Sequence, residues 1–201
     1  MAVLVMVYGE SGTGKSTSMR NFAAGECSII SVSKKPLPFR NQLAMAKTDS
    51  YKDIKELLES SQSKSVVVDD ATYLLVNEFM RTAKVTGFQK FTDMAQNFFN
   101  MIEQAASLPD DKIVYVFGHV DRDQFGNEKF KTIGKLLDEK VTLEGLFTIV
   151  LKTVVKDGRY MFATQTNGMD TVKSPMGMFD QVLIDNDLKA VDQAIRSFYG
   201  I

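Results

Sequence analysis

The first sixteen residues carry the feature that most constrains the fold. A run of apolar residues, Val3 to Tyr8, leads directly into Gly9–Ser16, whose sequence is GESGTGKS. This segment fits the pattern G-x-x-x-x-G-K-[ST], in which glycines let successive backbone N–H groups turn toward phosphate oxygens. Because the pattern operates between a buried strand and a helix, it predicts an α/β fold whose first strand is this apolar run.

Each position of the loop has an expected chemical task. Lys15 is expected to reach the β- and γ-phosphate oxygens, and the Ser16 hydroxyl is an oxygen ligand suited to Mg²⁺. Gly12 and Gly14 provide the backbone freedom that the turn needs. The predicted nucleotide-binding residues are Gly9, Glu10, Ser11, Gly12, Thr13, Gly14, Lys15, Ser16 and Thr17. The alternative is a glycine-rich turn with a solvated lysine, and it does not account for the flanking strand and helix.

A helix is predicted directly after the loop. Residues Lys15 to Ala24 contain no helix-breaking residue, and Gly25 follows them, as is usual just beyond a helix C-terminus. The N-terminus of this helix would face the phosphates and add a favourable dipole. Loop and helix together therefore predict a site for a nucleoside triphosphate.

Composition agrees with one compact domain over residues 1–201, since 44% of the residues are hydrophobic and no repeat is visible. The single cysteine, Cys27, cannot form an internal disulfide, which favours a reducing, cytoplasmic setting. A net charge of −1 argues against coating nucleic acid through bulk charge. The apolar opening, Met1 to Tyr8, is too short to span a membrane and lacks a basic leader, so we expect no membrane partner.

A second motif lies at Ser65–Asp70, where three valines precede two aspartates. It resembles a Walker B element, a buried strand with acidic residues at its carboxyl end. In a parallel sheet this end lies beside the phosphate loop, so Asp69 is expected to hold Mg²⁺ together with Ser16. Asp70 is expected to orient the attacking water. The alternative is that both aspartates cap the helix that follows.

The rest of the first half alternates strands and helices. Glu26 to Ser33 is predicted as a strand and Leu43 to Lys47 as a short edge strand. A helix is predicted to begin at Ser50, with Ile54, Leu57 and Leu58 on its apolar stripe. A long helix is predicted from Phe88 to Ser107, with an apolar stripe at three- and four-residue steps. The stripe consists of Phe91, Met94, Phe98, Ile102 and Ala105. This spacing favours packing on the sheet over a base-stacking surface.

The next predicted strand, Lys112 to Gly118, delivers the only histidine, His119, to the same crevice as Asp69. A polar residue there can sense the γ-phosphate, whereas the alternative is a surface histidine that starts a loop. Val120 to Glu139 is polar and is predicted to be a mobile loop region.

Two further strands, Leu146 to Lys156 and Arg159 to Thr166, flank Asp157-Gly158, the strongest hairpin signal in the chain. They make the predicted sheet mixed, with antiparallel strands at one edge. A closing amphipathic helix is predicted from Asp187 to Tyr199.

Taken together, these parts resemble a RecA-core P-loop ATPase, with a three-layer fold around a mostly parallel sheet. The resemblance is closest to the small RecA-like, AAA-family ATPases of tailed bacteriophages and prophages, some of which are single-strand annealing recombinases. It implies ATP and Mg²⁺ as cofactors, a homo-oligomeric ring or filament, and action on single-stranded DNA within the cytoplasm of a bacterial host. It also implies a catalytic set, which is Lys15, Asp70, His119 and Lys173.

Two of these implications concern basic residues. Lys173, just before Pro175, matches the position from which a neighbouring subunit would reach the γ-phosphate. The DNA-contacting loops would recruit residues after the predicted sensor strand, which are Arg122, Lys129, Lys131 and Lys135. The alternative for these is a solvated face, because Asp and Glu residues are interspersed among them.

The chain departs from the family where RecA carries its catalytic glutamate, since the corresponding strand exit has the sequence Ser33-Lys34-Lys35. Either Asp70 or Asp49 must substitute, or turnover is slow. Two alternative functions therefore stay open. One is a nucleotide-gated interaction module with little turnover, and the other is a small-molecule kinase, for which the chain lacks an arginine-rich lid.

Overall fold

An eight-stranded, mostly parallel β-sheet forms the centre of the molecule. The computed structural model describes residues 1–40 and 42–201. The strands are β1 (Val3–Tyr8), β2 (Cys27–Ser31), β3 (Ala44–Lys47), β4 (Ser65–Asp69), β5 (Ile113–Gly118), β6 (Val120–Arg122), β7 (Glu128–Phe130), β8 (Ile149–Lys156), β9 (Arg159–Ala163) and β10 (Leu183–Asp185). The α-helices are α1 (Tyr51–Ser60), α2 (Thr72–Arg81), α3 (Gln89–Ser107) and α4 (Leu188–Tyr199). Shorter helical turns are Ser16–Asn21, Leu136–Lys140 and Leu143–Leu146.

The strand order of the main sheet is β10-β9-β8-β1-β5-β4-β2-β3. Strands β8, β1, β5, β4, β2 and β3 pair in parallel, and β9 and β10 add antiparallel strands at one edge. Strand β5 therefore lies between β1 and β4. The carboxyl ends of these three strands meet at one edge of the sheet, where ligands of parallel sheets collect.

Alternate residues of the strands point to two separate hydrophobic clusters. On one face, Met6 and Tyr8 of β1 pack with helices α1, α2 and α3, whereas on the other face Val5 and Val7 pack with Met19 and helix α4. The arrangement is a three-layer α/β fold with a mostly parallel sheet, as predicted.

Most predicted elements are confirmed, including the edge strand β3, helix α1 with its N-cap Ser50, and helices α3 and α4. The predicted stripe of α3 is buried at Met94, Phe98, Ile102 and Ala105. The β8–β9 hairpin is also confirmed. Its turn residues Asp157 and Gly158 have φ of +52° and +73°, as a type I′ turn requires.

The helix after the glycine-rich loop is shorter than predicted. In place of an α-helix from Lys15 to Ala24, residues Ser16–Asn21 form a 3₁₀-helix. The Ser18 hydroxyl donates to the Lys15 carbonyl at 2.6 Å, and the Ser18 N–H also donates to this carbonyl at 3.2 Å. A side-chain hydroxyl that bonds to a nearby backbone carbonyl in this way competes with regular α-helical bonding, which favours the tighter turn.

The segment predicted as a loop, Val120 to Glu139, contains the antiparallel pair β6–β7. Asp123 Oδ1 accepts the N–H groups of Phe125 and Asn127, which closes the turn of the hairpin. Phe130 is buried, and its ring centroid lies 6.3 Å from that of Phe98 in α3. Val120 and Leu137 of the same segment are also buried. The polar composition of the segment conceals these few apolar contacts.

No bounds were predicted for helix α2, and only the capping alternative assumed a helix after Asp70. Its N-cap residue is Ala71, and no side chain caps its first turn. The usual sequence signal for a helix start is therefore missing.

Within the described ranges, 1–40 and 42–201, no helix is long and apolar enough to cross a membrane.

Candidate functional site

The glycine-rich loop after β1 depends on close packing as well as on unusual dihedral angles. Gly12 and Gly14 have φ of +81° and +93°, the region that favours glycine. A Cβ atom on Gly9 would lie 2.0 Å from Thr153 Oγ1 on the neighbouring strand β8. Gly9 is therefore required by contact with β8, a role that the motif alone did not predict.

Lys15 folds back over this loop. Its ammonium Nζ donates to the carbonyl oxygens of Gly9 and Glu10, both at 2.8 Å, and the residue is buried. Burial lowers the pKa of Lys15, while the nearby carboxylates of Asp70, Asp69 and Glu10 oppose this effect. The loop thus holds a cation over neutral carbonyl groups, where it is available to an anion.

The Ser16 hydroxyl and the Asp69 carboxylate meet across the cavity mouth. Ser16 Oγ donates to the Asp69 carboxylate, and it lies 3.1 Å from Oδ1 and 3.0 Å from Oδ2. Burial raises the pKa of Asp69 to about 6, and the charge of Asp70 adds to the increase. A cation bound near this carboxylate, in addition to Lys15, would lower the pKa of Asp69 again.

These two oxygen donors fit Mg²⁺, which binds to one or two protein oxygens and completes its shell with phosphate and water. Within residues 1–40 and 42–201, no group of three or more His, Cys, Asp or Glu residues could hold a metal by itself. A metal at Ser16 and Asp69 would therefore take its remaining ligands from water or from a bound molecule.

Asp70 follows β4 with a left-handed backbone, φ +62°, which is uncommon for a residue with a Cβ atom. The capping alternative is wrong for this pair, because α2 has no side-chain cap and its N-cap residue is Ala71. The Ala71 N–H donates to the Phe117 carbonyl at 2.7 Å, which ties this turn to β5. The unusual backbone places Asp70 in the cavity lining.

His119 follows β5 and lies beside Asp70, with His119 Nε2 3.7 Å from Asp70 Oδ1. The backbone N–H of His119 donates to Thr72 Oγ1 at 3.0 Å, and its ring meets the Tyr73 ring edge to face at 5.6 Å. Burial lowers the pKa of His119, and the charge of Lys15 lowers it further, so the ring is neutral at pH 7. His119 is therefore a half-buried member of the site.

These groups line one cavity of about 870 Å³. We call the part around Asp69, Asp70 and His119 the acidic end. Another part of the lining, formed by Arg20, Tyr160, Asn186 and Asp187, we call the Tyr160 end. The loop residues that line the same cavity are Ser11, Gly12, Gly14, Lys15, Ser16 and Thr17. A third side is formed by Ser33 and Lys35 to Pro38, after strand β2.

The other predicted loop residues face elsewhere. Gly9, Glu10 and Thr13 line a second cavity of about 490 Å³ against β8 and the β6–β7 hairpin. Thr13 Oγ1 and Thr153 Oγ1 are 2.6 Å apart, and the Glu10 carboxylate lies 3.4 Å from Arg122. These three residues therefore contact β8 and the β6–β7 hairpin, on a side of the loop away from the 870 Å³ cavity.

The structure does not bring Lys173 or Asp49 to the described lining of the 870 Å³ cavity. Lys173 is exposed, and its backbone pairs with Val150 in β8. Asp49 is bound by Lys34, Arg81 and Asn77 at 2.7 to 2.9 Å. Of the two predicted candidates for the catalytic base, only Asp70 reaches the cavity.

Two of the predicted DNA-contacting residues are paired with acids. Arg122 donates to Glu128 at 2.7 Å, and Lys129 lies 2.5 Å from Asp138. Lys131, directly after β7, has a backbone N–H that donates to the His119 carbonyl at 2.8 Å. The segment is thus joined by its backbone to the end of β5.

Sequence reasoning missed the Tyr160 end altogether. Tyr160 and Asn186 lie on β9 and directly after β10, more than 140 positions from the loop they contact. The Asn186 side chain lies against Gly14, where an added Cβ would be 3.1 Å from Asn186 Oδ1. No local motif marks these residues. The only available signal was the predicted hairpin edge.

Comparison of the chain with protein-family models gives no match, and comparison with curated proteins gives none.

Proposed function

We propose that the chain binds Mg²⁺ and ATP in the 870 Å³ cavity and hydrolyses the nucleotide. The observation that carries the proposal is the meeting of Ser16 Oγ and Asp69, at 3.0 Å, beside the buried ammonium of Lys15. A hydroxyl, a carboxylate and a buried cation are the groups that bind a metal-bound triphosphate.

The residues of the site would divide the chemistry among them. Backbone N–H groups of the loop from Gly12 to Ser16 bind the phosphate oxygens, and Lys15 exchanges its carbonyl partners for the β- and γ-phosphates. Ser16 and Asp69 hold Mg²⁺, which would offset charge that develops on those oxygens. Asp70 orients a water molecule for attack on the γ-phosphate. This is catalysis by positioning and electrostatics.

The proposed RecA-like character rests on a chain of contacts by which the difference between bound ATP and bound ADP would move other segments of the protein. His119 lies in contact distance of Asp70 at the end of β5, between the loop after β1 and the acids after β4. The Lys131 N–H is bonded to the His119 carbonyl, so movement of His119 acts on the hairpin segment. We infer that this segment carries the contacts to single-stranded DNA.

The oligomeric part of the proposal concerns Lys173. Because Lys173 is exposed and lies outside the described lining of its own cavity, its predicted catalytic role requires a neighbouring subunit. A ring or filament in the cytoplasm, acting in phage-type recombination, repair or replication, is the assembly we propose.

The test is the steady-state ATPase rate, measured with and without single-stranded DNA over a series of protein concentrations. We expect the specific activity to rise with concentration and with DNA. Lys173→Ala should keep nucleotide affinity but lose turnover, whereas Lys156→Ala, another exposed lysine at the end of β8, serves as the matched control. A Lys173→Ala enzyme with a normal rate would remove the subunit-to-subunit role.

A second candidate function, a nucleotide-gated interaction module, is favoured by one observation. No acid follows β2, and Asp49 is held in ion pairs with Lys34 and Arg81, so Asp70 is left to act as the base without help. A negligible rate at every DNA and protein concentration, combined with ATP-dependent assembly measured by light scattering, would favour this module over the ATPase.

A further inference from the structure

The Tyr160 end of the cavity contains a polar group without a partner. Asn186 is 3% exposed, and within the described part of the chain its side-chain Nδ2 has no hydrogen-bond partner. An unpaired buried amide is costly to folding, so such groups are rare and call for an explanation. Because Nδ2 is itself buried, it would pair with a ligand in the cavity once the Asn186 carboxamide turns toward it.

The backbone around Asn186 is held from two sides. Its N–H donates to the Tyr160 carbonyl at 3.2 Å, and its carbonyl accepts from Arg20 Nη1 at 2.6 Å. Arg20 belongs to the 3₁₀-helix that follows the phosphate loop. The backbone of Asn186 is thus held beside the loop, and no hydrogen bond of Nδ2 keeps the side chain from turning toward a ligand.

Tyr160 supplies the second element of a subsite. Its ring lies against Gly14, where an added Cβ would be 3.0 Å from Tyr160 Cδ1, and half of the residue remains exposed at the cavity rim. A fixed aromatic ring with an open face is a platform on which a nucleobase can stack. Tyr160 and Asn186 together therefore offer one stacking face and one hydrogen-bonding edge.

The position of the nucleoside follows from the position of the phosphates, and this step rests on the proposed function. If the γ-phosphate faces Lys15 and the metal ligands Ser16 and Asp69, the nucleoside must occupy another part of the same cavity. The Tyr160 end lines that cavity, and the side chains of Tyr160 and Asn186 lie against Gly14 of the loop.

We propose that Tyr160 and Asn186 form the nucleobase subsite, and that the Asn186 amide selects adenine over guanine. A carboxamide presents one donor beside one acceptor, which matches N7 and the N6 amino group of adenine. Guanine presents two acceptors, N7 and O6, on the same edge, so the amide oxygen would face another acceptor. The two carboxylates nearby already have partners, because Asp187 accepts from Asn21 and from two N–H groups of α4, and Asp185 accepts from Arg159 at 3.3 Å.

The experiment measures affinity by calorimetry, in the presence of Mg²⁺, for three probes: AMP-PNP, GMP-PNP and inorganic tripolyphosphate. The wild-type chain should bind AMP-PNP about tenfold more tightly than GMP-PNP. In Asn186→Leu, the AMP-PNP affinity should fall by about tenfold and the preference should vanish, while tripolyphosphate affinity stays unchanged. Tyr160→Ala should weaken both nucleotides alike, by about tenfold.

Asn100→Leu, on the exposed face of α3, is the control and should leave all three affinities unchanged. Asn186→Ser, too short to reach the base, replaces Asn186→Leu if the leucine variant does not fold. Equal affinity for the two nucleotides in the wild type, or a preference that survives in Asn186→Leu, overturns the assignment of Asn186 and leaves the ATPase proposal standing. Failure of tripolyphosphate and both nucleotides to bind overturns the proposed function as well.

Discussion

The two ends of the cavity are built from different parts of the fold. The acidic end is formed where the parallel strands β4 and β5 finish, and its groups lie within one to two residues of a strand end: Asp69, Asp70 and His119. The Tyr160 end is formed by the antiparallel edge strands β9 and β10 and by one arginine of the 3₁₀-helix. The acidic end therefore belongs to the central strands of the sheet, and the Tyr160 end belongs to the strands at one edge.

The two ends also differ in charge. Burial shifts the pKa values of Asp69 and His119 at the acidic end and of Lys15 in the neighbouring loop. The pKa of each of these groups also depends on the charges around it. At the Tyr160 end, Asp187 serves as a helix cap, and the unsatisfied group is a neutral amide. Under the proposed function, the acidic end binds the metal-bound phosphates, whereas the Tyr160 end distinguishes ligands by shape and hydrogen bonding.

The largest expected effect is that of Lys15→Ala on nucleotide affinity. The variant removes the buried cation at the loop, and we expect AMP-PNP affinity to fall by at least about a hundredfold, since charge-assisted bonds to phosphate are strong. Calorimetry measures this, with the exposed Lys52→Ala as control. Thermal stability should not fall, because the variant also removes a buried charge. Unchanged affinity would mean that the phosphate site lies elsewhere.

Asp70→Asn should separate turnover from binding. Asparagine tolerates the left-handed backbone that Asp70 adopts at φ +62°, so the turn should persist. Without a carboxylate to orient or accept a proton from water, the ATPase rate should fall by about a hundredfold, while AMP-PNP affinity changes little. Rate and affinity are measured on the same preparation. A variant with normal turnover would transfer the role of base away from the acidic end.

The difference between the two ends explains what the sequence could predict. The acidic end follows from short motifs, because a strand and the residues just after it are contiguous in the chain, as in Ser65–Asp70. The Tyr160 end depends on which strand lies beside the loop, and this is set by the pairing of β8 with β1. Neither Asn186 nor Tyr160 carries a local signal of that pairing.

The same distinction applies to the errors of secondary structure. Helix α2 lacks a capping side chain, and the β6–β7 hairpin is anchored by only two buried residues, Val120 and Phe130, within a polar segment. In both cases tertiary contacts outweigh local propensity. The strongly periodic helices α3 and α4 were predicted, because a long apolar stripe depends on the local sequence alone.

Gly9→Ala tests the contact that joins the loop to β8. The added Cβ would lie 2.0 Å from Thr153 Oγ1, so either the loop or the strand must move. We expect a loss of about 1 to 3 kcal/mol in the free energy of unfolding, measured with urea. Thr153→Ala removes the nearest atom, and the double variant should recover part of the loss. Full additivity of the two changes would show that this contact is not the cause.

The pH dependence of stability tests the charge at the acidic end. The folded-state pKa of Asp69, about 6, is raised above its unfolded value, so its contribution to stability falls as the pH rises from about 4 to 6. Asp69→Asn removes this dependence and should stabilise the metal-free chain at pH 7 by roughly 1 to 3 kcal/mol. Urea unfolding at pH 4.5 and pH 7, without Mg²⁺, compares the two proteins. A gain that is equal at both pH values would exclude titration of Asp69 as its cause.

The smallest effect is expected at Asp49, outside the cavity, and it has the opposite sign. Hydrogen bonds from Lys34 first, and then from Arg81 and Asn77, lower the pKa of Asp49 to about 2, although partial burial opposes this. Its stabilising contribution is complete above about pH 4 and is lost as the pH falls toward 2. Because the cluster is partly exposed, Asp49→Asn should cost only about 1 kcal/mol at pH 7, measured by urea unfolding. Its ATPase rate should equal that of the wild type, since only Asp70 reaches the cavity as a base. A large loss of turnover in Asp49→Asn, at unchanged stability, would show instead that the acidic end is incomplete without Asp49.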